Sequence, residues 1–354
     1  LKGQNLLSSY SKQVEGIPAE FNGYPINDPD GKYLGFALSG YGLMWNTRYM
    51  EAFKLPEPRE WNDLENAVYH GHVGLSSPSR SGTTHLTVET ILQGEGWDKG
   101  WAMLKTISGN AKTITERSFG VPDGVNSGAF GIGIVIDFFG YSSQASGFPV
   151  KFHYPSVTSL VPANIGVVAK APNEGPAQKF IDFLLSQKGQ QLLFDPKIMR
   201  LPVNQNAYSA APAGLPNPFD GTIKTTVNFD SGLSEQRYNV VNALFDVMIT
   251  YRQDDLRQAT AAVQDAESAL TASGKDNADA AKLIAQAKAL INELPVSAEQ
   301  ALDPEFNAIF KVKRKDADTK VEGRQAEVEQ QWDALVGKNY QKAVELAAQA
   351  KSLL

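Results

Sequence analysis

The sequence predicts an α/β domain followed by an all-helical extension. Three observations carry this. Between residues 33 and 194, short apolar or glycine-rich runs alternate with amphipathic helical patterns, as expected of strands and helices laid down in layers. Residues 201–230 then turn loop-rich, with Pro202, Pro212, Pro216 and Pro218. Beyond them aromatic residues thin out, and Ala, Gln, Lys and Glu accumulate at helical spacing. At 354 residues the chain has room for two or more domains and a large core.

The elements follow in order. After a short helix remnant, residues 1–31 are crowded with turn signals: Asn22-Gly23, Asp28-Pro29 and Asp30-Gly31. Residues 33–45 form a strand whose glycines, Gly35, Gly40 and Gly42, mark a bend or a close backbone approach. Residues 61–69 read as helix and 73–75 as the end of an apolar strand. A Ser/Gly-rich turn over 76–82 leads into a helix with Leu86, Ile91 and Leu92 on its apolar side. Residues 97–107 are a second amphipathic helix, with Trp101 and Leu104 toward the core. A short strand over 110–114, a loop over 115–123 and a polar helix start or turn over 125–128 come next. Residues 130–136 are a buried, β-branched strand that delivers Asp137 at its carboxyl end. Strands over 150–153 and 165–169 precede a helix whose apolar face is Ala177, Phe180, Ile181, Leu184 and Leu185. In the extension, Val240, Val241, Leu244, Phe245, Met248 and Ile249 share one helix face. Ala-rich helices follow over 256–270 and 280–294, and two more over 322–336 and 340–353.

Chemistry concentrates at residues 75–92. A strand, a tight turn and a helix N-terminus leave backbone N–H groups without intrahelical acceptors, and the helix dipole favours negative charge there. The hydroxyls of Ser79, Ser81, Thr83 and Thr84 and the backbone at Gly82 add donors, and Arg80 adds a bidentate cation. This is either an anion site or a capped helix start with nothing bound. Asp137 sits off the carboxyl end of a strand, where open α/β sheets bind ligands. It accepts hydrogen bonds either from ligand hydroxyls or from local backbone N–H groups. Tyr141 lines the same cleft or packs in a loop, and Ser39 and Tyr41 are weaker candidates.

Several classes are excluded. A net charge of −6 argues against nucleic acid as a partner. The absence of cysteine removes disulfides and thiolate metal sites. The apolar run over 130–139 is too short for a membrane span and is broken by Asp137. The opening Leu1-Lys2-Gly3-Gln4 is not a signal-peptide pattern. His70 and His72 lack a third ligand and His85 lacks an i+4 partner, so neither a metal site nor a cofactor is expected. No Walker motif, nucleophile elbow or paired-carboxylate pattern supports catalysis.

Taken together, residues 33–250 resemble the periplasmic substrate-binding proteins of ABC transporters. The landmarks are Met44-Trp-Asn46, Trp61-Asn-Asp-Leu64 with Tyr69, Ser77-Pro-Ser-Arg-Ser-Gly-Thr-Thr84 and Gly131-Ile-Gly-Ile-Val-Ile-Asp137. Pro162-Ala-Asn-Ile-Gly-Val-Val-Ala-Lys170 and Phe180-Ile-Asp-Phe-Leu184 with Ser186-Gln-Lys-Gly189 complete the series. The branch is the one that holds ferric-iron, 2-aminoethylphosphonate, hexose-phosphate and phosphoglycerate binders. The resemblance implies a type II periplasmic-binding-protein fold, two lobes hinged by crossover strands. Residues 1–35 and 160–230 would be the remainder of lobe 1 and the hinge, 36–159 lobe 2, and 231–354 a helical extension. It also implies that the N-terminal part of lobe 1 is not in this chain, which is then a fragment or is completed by a separate chain. The iron branch uses adjacent tyrosines where this chain reads Asp137-Phe138-Phe139-Gly140-Tyr141. The implied ligand is therefore a small phosphorylated organic anion, bound by Ser79, Arg80, Ser81, Gly82, Thr83, Thr84, Asp137 and Tyr141 in the periplasm. The implied partner is an ABC permease or a membrane sensor. A ferric-iron or inorganic-anion binder, a phosphate-ester hydrolase, and a sensor module docking through the helical tail are the alternatives.

Overall fold

In the computed structural model, which describes residues 1–274, 276–312 and 319–354, a small hairpin comes first. Its strands β1 (Glu20–Phe21) and β2 (Tyr24–Pro25) turn on Asn22 and Gly23, both at positive φ, as a two-residue Asn-Gly hairpin requires. Then come β3 (Leu34–Asn46), α1 (Thr47–Phe53), β4 (Val73–Ser76), α2 (Gly82–Glu95), α3 (Trp97–Gly109), β5 (Ala111–Thr115) and α4 (Gly120–Ser127). Next are β6 (Ile132–Ile136), α5 (Asp137–Ala145), β7 (Val150–His153), β8 (Leu160–Ile165), α6 (Glu174–Leu185), α7 (Gln187–Leu192) and β9 (Leu201–Pro202). The helical part comprises α8 (Ser231–Gln236), α9 (Tyr238–Phe245), a π-helical turn (Asp246–Thr250), α10 (Gln253–Ser273), α11 (Ala278–Asn292), α12 (Ala298–Ala301), α13 (Pro304–Asn307) and α14 (Gly323–Ser352).

The chain forms two compact units: Leu1–Gly42 with Ile136–Phe229, and Leu43–Val135 with Asp230–Leu354. In the first, β3 pairs antiparallel with β8 and β9, and β7 lies beside it. Gly40 and Gly42 are close-approach positions. A Cβ on Gly40 would stand 2.9 Å from the Tyr154 ring, and one on Gly42 would collide with the His153 carbonyl oxygen. The core gathers Ile26, Leu38, Leu160, Leu201 and Val203. Helix α6 lays Ile181 and Leu185 against Leu34 and Val167. Phe180 is exposed instead of joining that face.

The second unit holds a parallel arrangement of β5, β4 and β6. Trp45, Trp61 and Trp101 are fully buried in it. Trp97 meets Trp101 edge to face with centroids 5.7 Å apart and donates its indole N–H to the Val296 carbonyl. Helices α10, α11 and α14 pack on one another, and α10 and α11 pack on α3.

The compact units change over inside β3, at the end of β6 and between Phe229 and Asp230, and residues 230–354 fall in the same unit as residues 43–135. The physical reason is α3, whose buried residues run all round it: Trp97, Gly100, Trp101, Met103, Leu104, Lys105 and Ile107. Such a helix needs cover on both sides, and α10 and α11 supply one of them. Even Lys105 is buried there, donating to the Glu293 carbonyl at 3.0 Å. Local corrections also follow from packing. Residues 120–127 are helical, with Gly128 as a left-handed cap. Residues 61–69 form two 3-10 turns. The strand expected at 165–169 lies at 160–165, and beyond it Val168 only bridges Leu7. The last two helices are one, because Gly337 is a contact point and not a break: a Cβ there would meet the Arg252 guanidinium at 2.9 Å.

Candidate functional site

In the second unit, β4 ends at Ser76 and the chain makes a single 3-10 turn over Pro78–Arg80. Ser81 then caps α2, its Oγ accepting from the Thr84 N–H at 3.2 Å. Gly82 and Thr83 occupy the first two helical positions, so their N–H groups have no intrahelical acceptor. The hydroxyls divide by direction. Thr84 Oγ1 is buried against Ser76 Oγ. Ser77 Oγ donates to Asp246 Oδ1 at 2.8 Å and lies 2.8 Å from Ser79 Oγ. Ser79 and Thr83 are partly exposed. Arg80 donates through Nη1 to Glu116 at 2.7 Å, a carboxylate that is itself 71% exposed.

Behind this turn, buried polar links fasten α2 to α8 and α9. The His85 ring sits 2.9 Å from Asn242 Oδ1 and 3.0 Å from Ser234 Oγ, and packs against the Tyr238 ring at a tilt of 48°. Arg237 forks onto both oxygens of Glu89, and its guanidinium stacks over Trp97. Beside Ser79 is a cavity of about 30 Å³ lined by Asn242, Asp246, Tyr251, Gln325 and Glu329. A space of that size holds a water molecule or two. Asp246, Asn242 and Arg237 escaped the sequence reading because their partners are far away in the chain. The available signal was a carboxylate, Asp246, set in an otherwise apolar helix face.

In the first unit, Asp137 opens α5 and is 1% exposed. Its Oδ2 accepts from the Gly40 N–H at 2.6 Å and the Tyr154 hydroxyl at 2.8 Å, and its Oδ1 from the Phe138 N–H at 2.7 Å. Burial pushes its pKa up to about 7, against the pull of those three donors. Arg200 stacks over Phe138 at 3.9 Å. Tyr141 is buried against Phe152 and Tyr154, and burial raises its phenol well above the ordinary value. Ser39 Oγ and Tyr41 Oη are buried without a partner among the described residues. The structure therefore brings residues 77–84 together in one unit, and Asp137 and Tyr141 in the other.

His72 hydrogen-bonds Tyr49 at 2.9 Å, and His70 lies 3.4 Å from Asn110 Oδ1. Among the described residues no group of three or more His, Cys, Asp or Glu side chains is placed to hold a metal ion. Among them, too, no helix is long and apolar enough to cross a membrane.

Residues 1–220 match the family model of the bacterial extracellular solute-binding proteins. The phosphoglycerate transport regulatory protein PgtC of Salmonella typhimurium is 34% identical over 281 residues, which cover 78% of this chain and 66% of that protein. The chain thus spans just under two thirds of that relative's length. Iron uptake protein A1 of Synechocystis sp. is 25% identical over 201 residues, 52% of this chain and 55% of that protein. Among solved structures, the periplasmic binding protein AfuA of Actinobacillus pleuropneumoniae, with exogenous fructose-6-phosphate bound, superposes with a TM-score of 0.61 at 21% identity. The match covers 69% of this chain and 77% of AfuA. The apo ferric ion-binding protein A of Pasteurella haemolytica gives 0.54 at 17% identity, over 69% and 77%. These likenesses show the fold: a type II periplasmic-binding-protein architecture, here with C-terminal helices.

Proposed function

This chain belongs to the bacterial extracellular solute-binding protein family, and on that premise we propose that it captures a small phosphorylated organic anion. The observation that carries the reading is the turn into α2. The Gly82 and Thr83 N–H groups are free of intrahelical acceptors, and the helix dipole adds its positive end. The Ser81 hydroxyl keeps its own proton, because its oxygen caps the helix as an acceptor. Thr83 adds a second hydroxyl, and Arg80 exchanges the solvent-exposed Glu116 for the ligand. Within its own unit each remaining candidate acts as support: Thr84 holds the turn through Ser76, and Asp137 is held by Gly40 and Tyr154, with Tyr141 packed beside Tyr154. A relative named for phosphoglycerate transport and a structural neighbour holding fructose-6-phosphate are consistent with this ligand class.

The protein acts as a binding component and not as an enzyme, in the periplasm, delivering its ligand to an ABC permease or a membrane sensor. A ligand that binds the closed form more tightly than the open one draws the chain toward closure, by as much as the two affinities differ. The resemblance implies adjacent tyrosines in ferric-iron binders where this chain reads Asp137-Phe138-Phe139-Gly140-Tyr141, which favours the phosphate ester over Fe(III).

Titration calorimetry with 3-phosphoglycerate, fructose 6-phosphate, 2-aminoethylphosphonate and Fe(III)-citrate tests the reading. At least one phosphorylated compound is expected to bind. Ser81→Ala with Thr83→Ala is expected to weaken it by about 1.5–3 kcal/mol per lost charge-assisted hydrogen bond, and to lower the melting temperature through the loss of the α2 cap, which costs about 0.5–2 kcal/mol. Binding of Fe(III)-citrate alone, or full affinity in the double variant, would remove the loop from a phosphate site.

A further inference from the structure

Where α10 and α11 pack on α3, a cavity of about 180 Å³ is lined by Glu65, Thr260, Gln264, Glu267, Lys288 and Asn292. Its walls all belong to the second unit, and it shares no residue with the turn at 77–84. A space of that size holds several waters or one small organic molecule. We propose that the cavity is a binding site for a small primary alkylammonium ion, with Glu65 as its counter-charge and the amide oxygens of Gln264 and Asn292 as hydrogen-bond acceptors.

The half-buried Glu65 carboxylate makes no hydrogen bond and no ion pair among the described residues. The lysines whose charge reaches it are committed elsewhere, Lys288 to Glu267 and Lys99 to Glu95. One negative charge is therefore uncompensated. Turning Lys288 from Glu267 to Glu65 would move that charge to another wall of the same cavity without removing it. Burial raises the pKa of Glu65, and the pull of the two lysines does not cancel the rise. A desolvated carboxylate in that state gains from a cation brought beside it.

The uncharged polar groups are short of donors too. Gln264 Nε2 donates to the Glu65 carbonyl at 3.0 Å. Reversing that amide would set oxygen against oxygen, so Gln264 Oε1 is fixed as the outward acceptor. Asn292 Oδ1 and Thr260 Oγ1 are buried without a partner among the described residues, and Thr260 is more than nine-tenths buried. Buried acceptors without donors are costly. A carboxylate and two amide oxygens only accept, and a threonine hydroxyl does either. The ligand that suits them brings positive charge, several N–H donors and no acceptor. A primary ammonium has three donors and no lone pair. Val263 and Ile291, both buried, give its carbon chain an apolar wall. A metal ion fits less well, because among the described residues no group of three or more His, Cys, Asp or Glu is placed to hold one.

Calorimetry on the full chain with n-butylammonium chloride, at constant ionic strength, tests the assignment, with 1-butanol and potassium chloride as controls. n-Butylammonium is expected to bind saturably. 1-Butanol, which keeps the carbon chain and loses the charge, is expected not to bind. Glu65→Gln is expected to weaken n-butylammonium by about tenfold or more, the scale of one hydrogen bond to a charged group. Gln264→Leu is expected to weaken it by a smaller factor. Lys288→Met leaves Glu267 without its lysine and is expected to tighten binding severalfold, a gain that misfolding cannot imitate. No saturable binding to the parent, or an equal response to potassium chloride, overturns the site. So does full affinity in Glu65→Gln, or a Lys288→Met variant that binds no more tightly than the parent.

Discussion

At the scale of single residues, Asp137 shows two effects in opposition. Burial favours the neutral acid, while the Gly40 N–H, the Phe138 N–H and the Tyr154 hydroxyl favour the carboxylate. Burial prevails, and the folded value stands near 7 against 3.8 for a free side chain. The sign of the linkage follows. A carboxyl whose folded pKa is raised binds its proton more tightly in the native state. Its contribution to stability is complete below about pH 4 and is lost as pH rises through about 7. The stability of the parent relative to Asp137→Asn should therefore decline across that window in urea titrations. A difference that stays level from pH 4 to 7 would mean that the three donors keep the group ionised throughout. From sequence, Asp137 was visible as a carboxylate at a strand end. That both its oxygens accept from the protein was not visible, because Gly40 lies 97 residues away.

At the scale of elements, α2 was legible and its fastening was not. Serines, a glycine and threonines after an apolar strand are a local signal of a turn and a helix start. Ser77 to Asp246 spans 169 residues and Glu89 to Arg237 spans 148, and no periodicity reports such pairs. Helix α4 was hidden for a similar reason. Gly120, Pro122 and Gly124 look like loop residues, yet Gly124 is small because the Phe130 ring occupies the place of a Cβ. The Glu89–Arg237 fork is buried on both sides, so removing one partner strands a charge. Glu89→Ala or Arg237→Ala should each cost about 3–5 kcal/mol, while the joint Glu89→Leu, Arg237→Met change should cost far less. Denaturant unfolding of the three variants measures this. Additive losses would show that the two side chains stabilise the unit independently.

At the scale of the whole molecule, the α/β class and the helical end were readable from composition and alternation. The C-terminal helices read as Ala-rich from sequence. In the structure Ala259, Ala266, Ala280, Ala287, Ala343 and Ala347 are fully buried, the small surfaces that let α10, α11 and α14 approach closely while α10 and α11 cover α3. Removing residues 252–354 should therefore uncover Trp97, Trp101 and Leu104. Size-exclusion chromatography should find the shortened chain aggregated, whereas a well-behaved monomer would support the view of a detachable module. The partition into two units has a spectroscopic side. Trp45, Trp61, Trp97, Trp101 and Trp332, the whole tryptophan complement, fall in the second unit, and the first holds only tyrosine and phenylalanine chromophores. Indole emission is therefore a built-in label for one half of the molecule. Set beside far-UV dichroism, which weighs both halves, it distinguishes concerted melting from melting in two stages with no dye or engineered probe.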